Sequence, residues 1–224
     1  MIDIRRDPEG MAGLLAFGLR HVPVLARGTD YVFGQQITDV ARFVGVELKV
    51  ADPLAPPVLI ARWTSILASA QRLCLQLPTA ALEQPPVEGR PGTLAELAWH
   101  VFAIGDAFID CVEHGNPDWV TVSMRPPPGG QVDAPAIAAY GAQVVRRLEQ
   151  WWSGPDAMRR GGTQAVATFQ GDVTLHAFLE RQTWHSAQHT RQLADVVERH
   201  GGTPHWPERD AQLAGLPLPE RIWV

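Results

Sequence analysis

Cysteine is scarce in this chain. Only Cys74 and Cys111 occur among 224 residues, and they form no CxxC pair. That excludes a disulfide framework and a dithiol redox motif. Both cysteines fall in segments that read as helix, where a small buried hydrophobe is expected. Long apolar runs are missing too, none reaching the roughly 18 residues that a membrane-spanning helix needs. The first residues, Met1-Ile2-Asp3-Ile4-Arg5-Arg6, lack the apolar stretch of a secretory signal, so a cytoplasmic location is expected. Positive charge is not in excess: 19 basic against 24 acidic residues leave a net charge of −5. Nucleic acid and anionic membrane are therefore not expected as partners, which leaves a small-molecule substrate.

What is present reads as a folded protein. Apolar residues make up 46% and charged residues 19%, with a mean hydropathy of −0.07, which is not a disordered balance. The length suits one main core with an appendage. Proline (19) and glycine (20) are frequent, and the prolines lie between periodic segments, where they punctuate the chain. The eight tryptophans are expected in the core rather than as an aromatic substrate wall.

Residues 1–50 predict a βαββα pattern. A short strand falls at 1–4 and a helix at 7–17, opening after Asp7-Pro8 and closing at Gly18. A strand at 22–26 turns through Arg27-Gly28-Thr29-Asp30 into a returning strand at 31–34, and an amphipathic helix follows at 35–44. From residue 51 to 224 the chain reads as long helices. The first opens at Pro56-Pro57 and ends at Leu77-Pro78. The second opens with the capping box Thr93-Leu94-Ala95-Glu96 and runs to His114-Gly115. The third opens near Asp133, carries the stripe Ile137, Tyr140, Val144, Leu148, Trp151, and stops at Ser153-Gly154-Pro155. The fourth opens near Asp172 and ends at His200-Gly201-Gly202. Four such helices predict a four-helix bundle, mainly α. The long connection over 116–131 is what a crossover between parallel neighbours requires.

On the fourth helix His185 and His189 are four residues apart. They are roughly 40° apart around the axis and about 6 Å along it, so both imidazoles can address one ion. They share the stripe of Phe178, Gln182, Leu193 and Val196, which faces the core. His100 lies at the edge of the second helix's buried face, beside Leu97, Val101, Ile104 and Phe108. A buried imidazole needs partners for one donor and one acceptor. Three from facing helices would form a three-histidine metal site with an open coordination position, the catalytic rather than the structural type. The alternative is three hydrogen-bonded core histidines.

The remaining histidines do not join that set. His176 lies half a circumference from His185, His114 and His200 end helices, His21 precedes a strand, and His205 lies in a loop. Cys111 is three turns from His100, some 16 Å, too far to share an ion. Arg181 and Gln182, one turn before the HxxxH pair, are expected at a pocket mouth as substrate contacts. Gln192 suits a hydrogen bond behind a ligand, and Gln188 is expected to be solvated. No carboxylate announces itself as a general base, and no catalytic residue is named.

The run from Thr93 through His100 to Phe108, with His185-Ser186-Ala187-Gln188-His189-Thr190-Arg191-Gln192-Leu193 and Gly201-Gly202-Thr203-Pro204, resembles the DinB/YfiT-like family of four-helix metal proteins. The resemblance covers residues 56–207. It implies that His100, His185 and His189 hold Zn2+ or Ni2+, with Fe2+ as a further choice, in a bundle that is not simply up-down-up-down and is often a homodimer. It also implies thiol S-transferase activity, because several relatives use low-molecular-weight thiols. Residues 1–50 are similar to the latter part of a glutaredoxin or thioredoxin-like domain without its CxxC. That similarity places a cis peptide at Val22-Pro23, and Val22 and Pro23 at a docking edge for a thiol's peptide part, beside the alternative of a packing element. The expected function is thus a metal-dependent thiol S-transferase. A hydrolase using metal-activated water, or a non-catalytic metal- or ligand-binding stress protein, is the alternative.

Overall fold

The structure, a computed structural model, describes residues 2, 4, 7–34, 37–47, 52–129, 132–155 and 162–223. The chain divides into two units, Met1–Asp52 and Pro53–Val224.

In the first unit, Asp7 caps a helix that proline opens. Its Oδ1 accepts from the Glu9 and Gly10 amides, and α1 spans Pro8–Ala16. Strands β1 (Val24–Arg27) and β2 (Asp30–Phe33) pair antiparallel, Val24 opposite Phe33 and Arg27 opposite Asp30. The turn is therefore Gly28-Thr29, and Gly28 takes a φ of +64° that a side chain would resist. Helix α2 spans Ile37–Val44. The strand expected at 1–4 has Met1 and Asp3 outside the described residues, and Ile4 stands in a turn. Gln35 and Gln36, the expected start of α2, are also outside them. The Val22–Pro23 peptide is cis.

The second unit holds α3 (Pro56–Cys74), α4 (Leu94–His114), α5 (Trp119–Ser123), α6 (Ala134–Ser153), strands β3 (Ala165–Thr168) and β4 (Gly171–Thr174), α7 (Leu175–Arg199) and α8 (Arg209–Leu213). Local chemistry sets the ends. Thr93 and Glu96 close a capping box on α4, and Gly115 ends that helix with a φ of +68°. Asp133 caps α6 through the Ala136 amide at 2.8 Å, and Thr174 caps α7 through the Ala177 amide at 3.1 Å. The first long helix stops at Cys74, short of the expected Leu77-Pro78, because the Gln76 and Leu77 amides turn to carbonyls three residues back, at Leu73 and Cys74, and Pro78 has no N–H to continue the ladder. The fourth starts at Leu175 instead of near Asp172, because Gly171 has a φ of +101° and residues 171–174 pair with β3. That hairpin is a departure from the expected all-helical second unit.

Helices α3 and α4 each pack on both α6 and α7. Contacts fix the directions. Trp99 stacks on Tyr140 and Phe108 meets Trp151 edge-on, so α4 and α6 run parallel. His100 meets His189 while Phe108 meets Phe178, so α4 and α7 run antiparallel. The order is not up-down-up-down, and the 116–131 connection joins parallel neighbours as expected. Gly105 and Gly141 let α4 and α6 approach closely: a Cβ on Gly105 would lie 2.5 Å from Val144, and one on Gly141 2.5 Å from Phe102. Trp63, Phe102, Phe108, Ile104, Ile137 and Leu148 are fully enclosed at the centre, with Trp63 and Phe108 in edge contact at 5.2 Å. Among the described residues no helix is long and apolar enough to cross a membrane.

Candidate metal centre

The antiparallel pairing of α4 and α7 brings residue 100 level with the turn between residues 185 and 189. Ring centroids lie 5.3 Å apart for His100 and His185, 4.9 Å for His100 and His189, and 4.8 Å for His185 and His189. One nitrogen from each ring lies within 4.8 Å of the others. Trp63 secures the neighbouring turn by donating to Ser186 Oγ at 2.9 Å, and Ser186 donates to the Val101 carbonyl at 3.3 Å.

Two of the rings are oriented from behind. His100 Nδ1 donates to the Ser123 carbonyl at 2.6 Å, and His189 Nδ1 donates to Gln192 Oε1 at 2.7 Å. The Gln192 amide is itself set by its bond to the Ile222 carbonyl at 3.0 Å. A neutral imidazole that donates through Nδ1 keeps its Nε2 lone pair free. His185 is held the other way. Arg181 Nη1 lies 3.1 Å from His185 Nδ1, and a guanidinium only donates, so Nδ1 accepts.

The three rings are half-buried, and the water they lose is the first reason that they stay neutral. That loss lowers His189 to about 3 and His185 well below its ordinary value. His100 is lowered too, against the opposing pull of its bond to Ser123. The fixed charges that act on the three rings are Arg181 and Arg90, both positive. Neutral, convergent nitrogen donors are what a borderline divalent ion such as Zn2+, Ni2+ or Fe2+ binds, and at His100 and His189 no proton must leave first. The residues present fit such an ion.

Arg181 and Gln182 are not at a mouth. Arg181 is 8% exposed and Gln182 is fully enclosed, because α5 lays Trp119 over the guanidinium, 4.5 Å from its centre, with Trp184 at 5.3 Å. Arg181 Nε and both amide atoms of Gln182 are buried without a hydrogen-bond partner. Gln188, expected in solvent, is also buried and donates to the Ile222 carbonyl at 2.6 Å. The reason is a segment that the helical pattern did not reveal. Residues 219–223 lie along α7, where Arg191 donates to the Pro219 and Glu220 carbonyls and Trp223 to Asp195.

The other histidines stay apart from the centre. His176 Nε2 donates to the Leu54 carbonyl at 2.8 Å, while His114, His200 and His205 are exposed. Cys111 is buried against β3, its thiol pushed up to about 11 by burial and by Asp110. Cys74 is pushed up to about 12 by burial, so neither cysteine is a ready nucleophile. Val22 and Pro23 belong to the first unit, where Val22 is exposed and the Pro23 carbonyl accepts from the Gly34 amide at 2.8 Å.

The family model of the DinB superfamily matches residues 62–193, a span that contains all three histidines. The chain belongs to the DinB superfamily. No curated protein and no solved structure matches it. The matched span of this DinB protein starts within α3 and ends within α7, so the 219–223 segment behind Gln192 lies outside it.

Proposed function

We propose that this DinB-superfamily protein is a metal-dependent thiol S-transferase whose ion, Zn2+ or Ni2+ before Fe2+, is held by His100, His185 and His189. The observation that carries the reading is the convergence of three ring nitrogens within 4.8 Å on two packed helices. When bound, a divalent ion supplies the Lewis acidity that lowers the pKa of a thiol or water brought to it. The Ser123 carbonyl and Gln192 keep two of the rings in the ligating tautomer. A thiol rather than water is favoured as nucleophile because the charged side chains that act on the rings, Arg181 and Arg90, are cations and take no proton from water. Thiols ionise far more readily than water and need no neighbouring base. The sulfur forms a bond to an electrophilic carbon, the leaving group departs with its bonding pair, and the thiol proton passes to solvent. Arg181 contacts the substrate, whereas the enclosed Gln182 lies out of its reach. The edge beside Val22 and Pro23 receives the peptide part of the thiol, a role supported by the resemblance and by the exposure of Val22. The working form is a cytoplasmic homodimer.

Elemental mass spectrometry of the purified chain is the first test. Near-stoichiometric divalent metal is expected in the wild type and loss of it in both His100→Ala and His185→Ala. A wild type that stays metal-free after reconstitution with Zn2+, Ni2+ and Fe2+ refutes the site. Conjugation of cysteine or 2-mercaptoethanol to an activated aryl halide is expected to need both metal and His185. Hydrolytic turnover without any thiol would replace the transferase with the hydrolase.

A further inference from the structure

Arg181 is a buried cation for which the described residues supply no anion. Its single hydrogen bond runs from Nη1 to His185 Nδ1, and its Nε–H is enclosed and unpaired. Trp119 and Trp184 offer ring faces, which attract a guanidinium but accept none of its N–H groups. Leaving such a group unpaired is costly, so a partner is expected for it. The shape of the partner follows from the free edge. Nε and Nη2 lie on one side of the planar guanidinium and present two parallel N–H vectors, the match for the two oxygens of a carboxylate.

Loading the site with metal removes the one bond that Arg181 has. An ion held by His185 Nδ1 occupies the lone pair to which Nη1 donates. An ion held by His185 Nε2 leaves the proton on Nδ1, which then has no lone pair to offer. Either way Nη1 is released, and all of the guanidinium's donors seek an acceptor. Charge points the same way. A dication on three neutral imidazoles joins Arg181, and Arg90 also acts on the rings as a cation.

We propose that Arg181 is the specificity residue of this centre, receiving the carboxylate of a substrate or co-substrate whose reacting group lies at His100, His185 and His189. The inference rests on the metal site proposed above, and it adds that anion recognition at Arg181 depends on metal loading.

Cobalt(II) in the site gives a visible spectrum, which can be followed while mercaptoacetate or 2-mercaptoethanol is titrated. Both probes carry a thiol, and only the first carries a carboxylate. Wild type is expected to bind mercaptoacetate at least about tenfold more tightly, the size of one charge-assisted hydrogen bond. In Arg181→Met the ratio of the two affinities is expected to fall to near one, and Arg181→Lys should restore part of it. Equal affinities in the wild type overturn the inference without recourse to any variant. A preference that survives Arg181→Met also overturns it, because the carboxylate then sits on the ion itself. Failure of cobalt to bind the wild type instead refutes the metal site and carries this inference with it, so the two failures are distinct.

Discussion

Along the seam between α4 and α7, two stretches of the same helix pair are closed in different ways. Around Phe108 and Phe178 the helices meet through stacked rings at 5.3 Å, with Trp63, Trp119 and Trp151 packed nearby. Around His100, His185 and His189 they meet through imidazoles that burial keeps neutral. The first stretch gains stability directly from apolar burial. The second spends core volume on nitrogen lone pairs, an unpaired Arg181 Nε and an unpaired Gln182 amide, a local cost of the kind that functional sites impose. Stability is concentrated at one end of the seam, and chemistry at the other.

If that division is right, perturbations at the two ends should have separable effects. The largest is expected from Phe108→Ala, which empties the enclosed aromatic stretch and should cost about 3–5 kcal/mol in denaturant unfolding. The molecules that remain folded should keep their metal. Loss of metal from the folded fraction, measured by elemental analysis after size exclusion, would show that the two ends are one unit.

A smaller and opposite effect is expected from Gln192→Leu, which removes the acceptor behind His189. Metal affinity by chelator competition should fall roughly 10- to 100-fold, with little change in unfolding. An unaltered affinity would mean that Gln192 merely fills space.

A third perturbation is pH, which acts on the chemical end alone. In the metal-free protein the three rings have lowered values, His189 at about 3, while in the unfolded chain they titrate near 6.5. Below about 6.5 the unfolded chain takes up protons that the native rings refuse. The contribution of the rings is therefore whole above 6.5 and is lost as pH falls toward 3, by up to about 1.4 kcal/mol per pH unit for each ring. His189→Phe should flatten that slope in urea titrations between pH 6 and 4. An unchanged slope would assign it to carboxylates elsewhere.

Much of the bundle could be read in the chain because its signals are local. The Thr93–Glu96 capping box, Gly115 and Asp133 lie where helix ends were expected, and the convergence of His100 with His185 and His189 follows from spacing plus facing stripes. The hairpin of β3 and β4 escaped because two four-residue strands leave too short a periodic record beside a 25-residue helix. The burial of Arg181, Gln182 and Gln188 escaped because it depends on what lies over α7. Trp119 arrives from a crossover, and residues 219–223 come from far along the chain. Helical spacing tells which residues share a face, and it is silent on what covers that face.

The Ser123 carbonyl that orients His100 has a consequence for how this centre can drift. Every amino acid carries that oxygen, and the Ser123 hydroxyl is turned to the Val120 carbonyl at 2.9 Å instead. Exchange of the buried side chain at 123 for another small one should therefore be tolerated wherever the short turn of α5 survives. The support would persist while its residue changed identity, so a comparison of relatives by letter would pass over it. A shorter or longer crossover, by contrast, would shift the oxygen itself and leave His100 unheld.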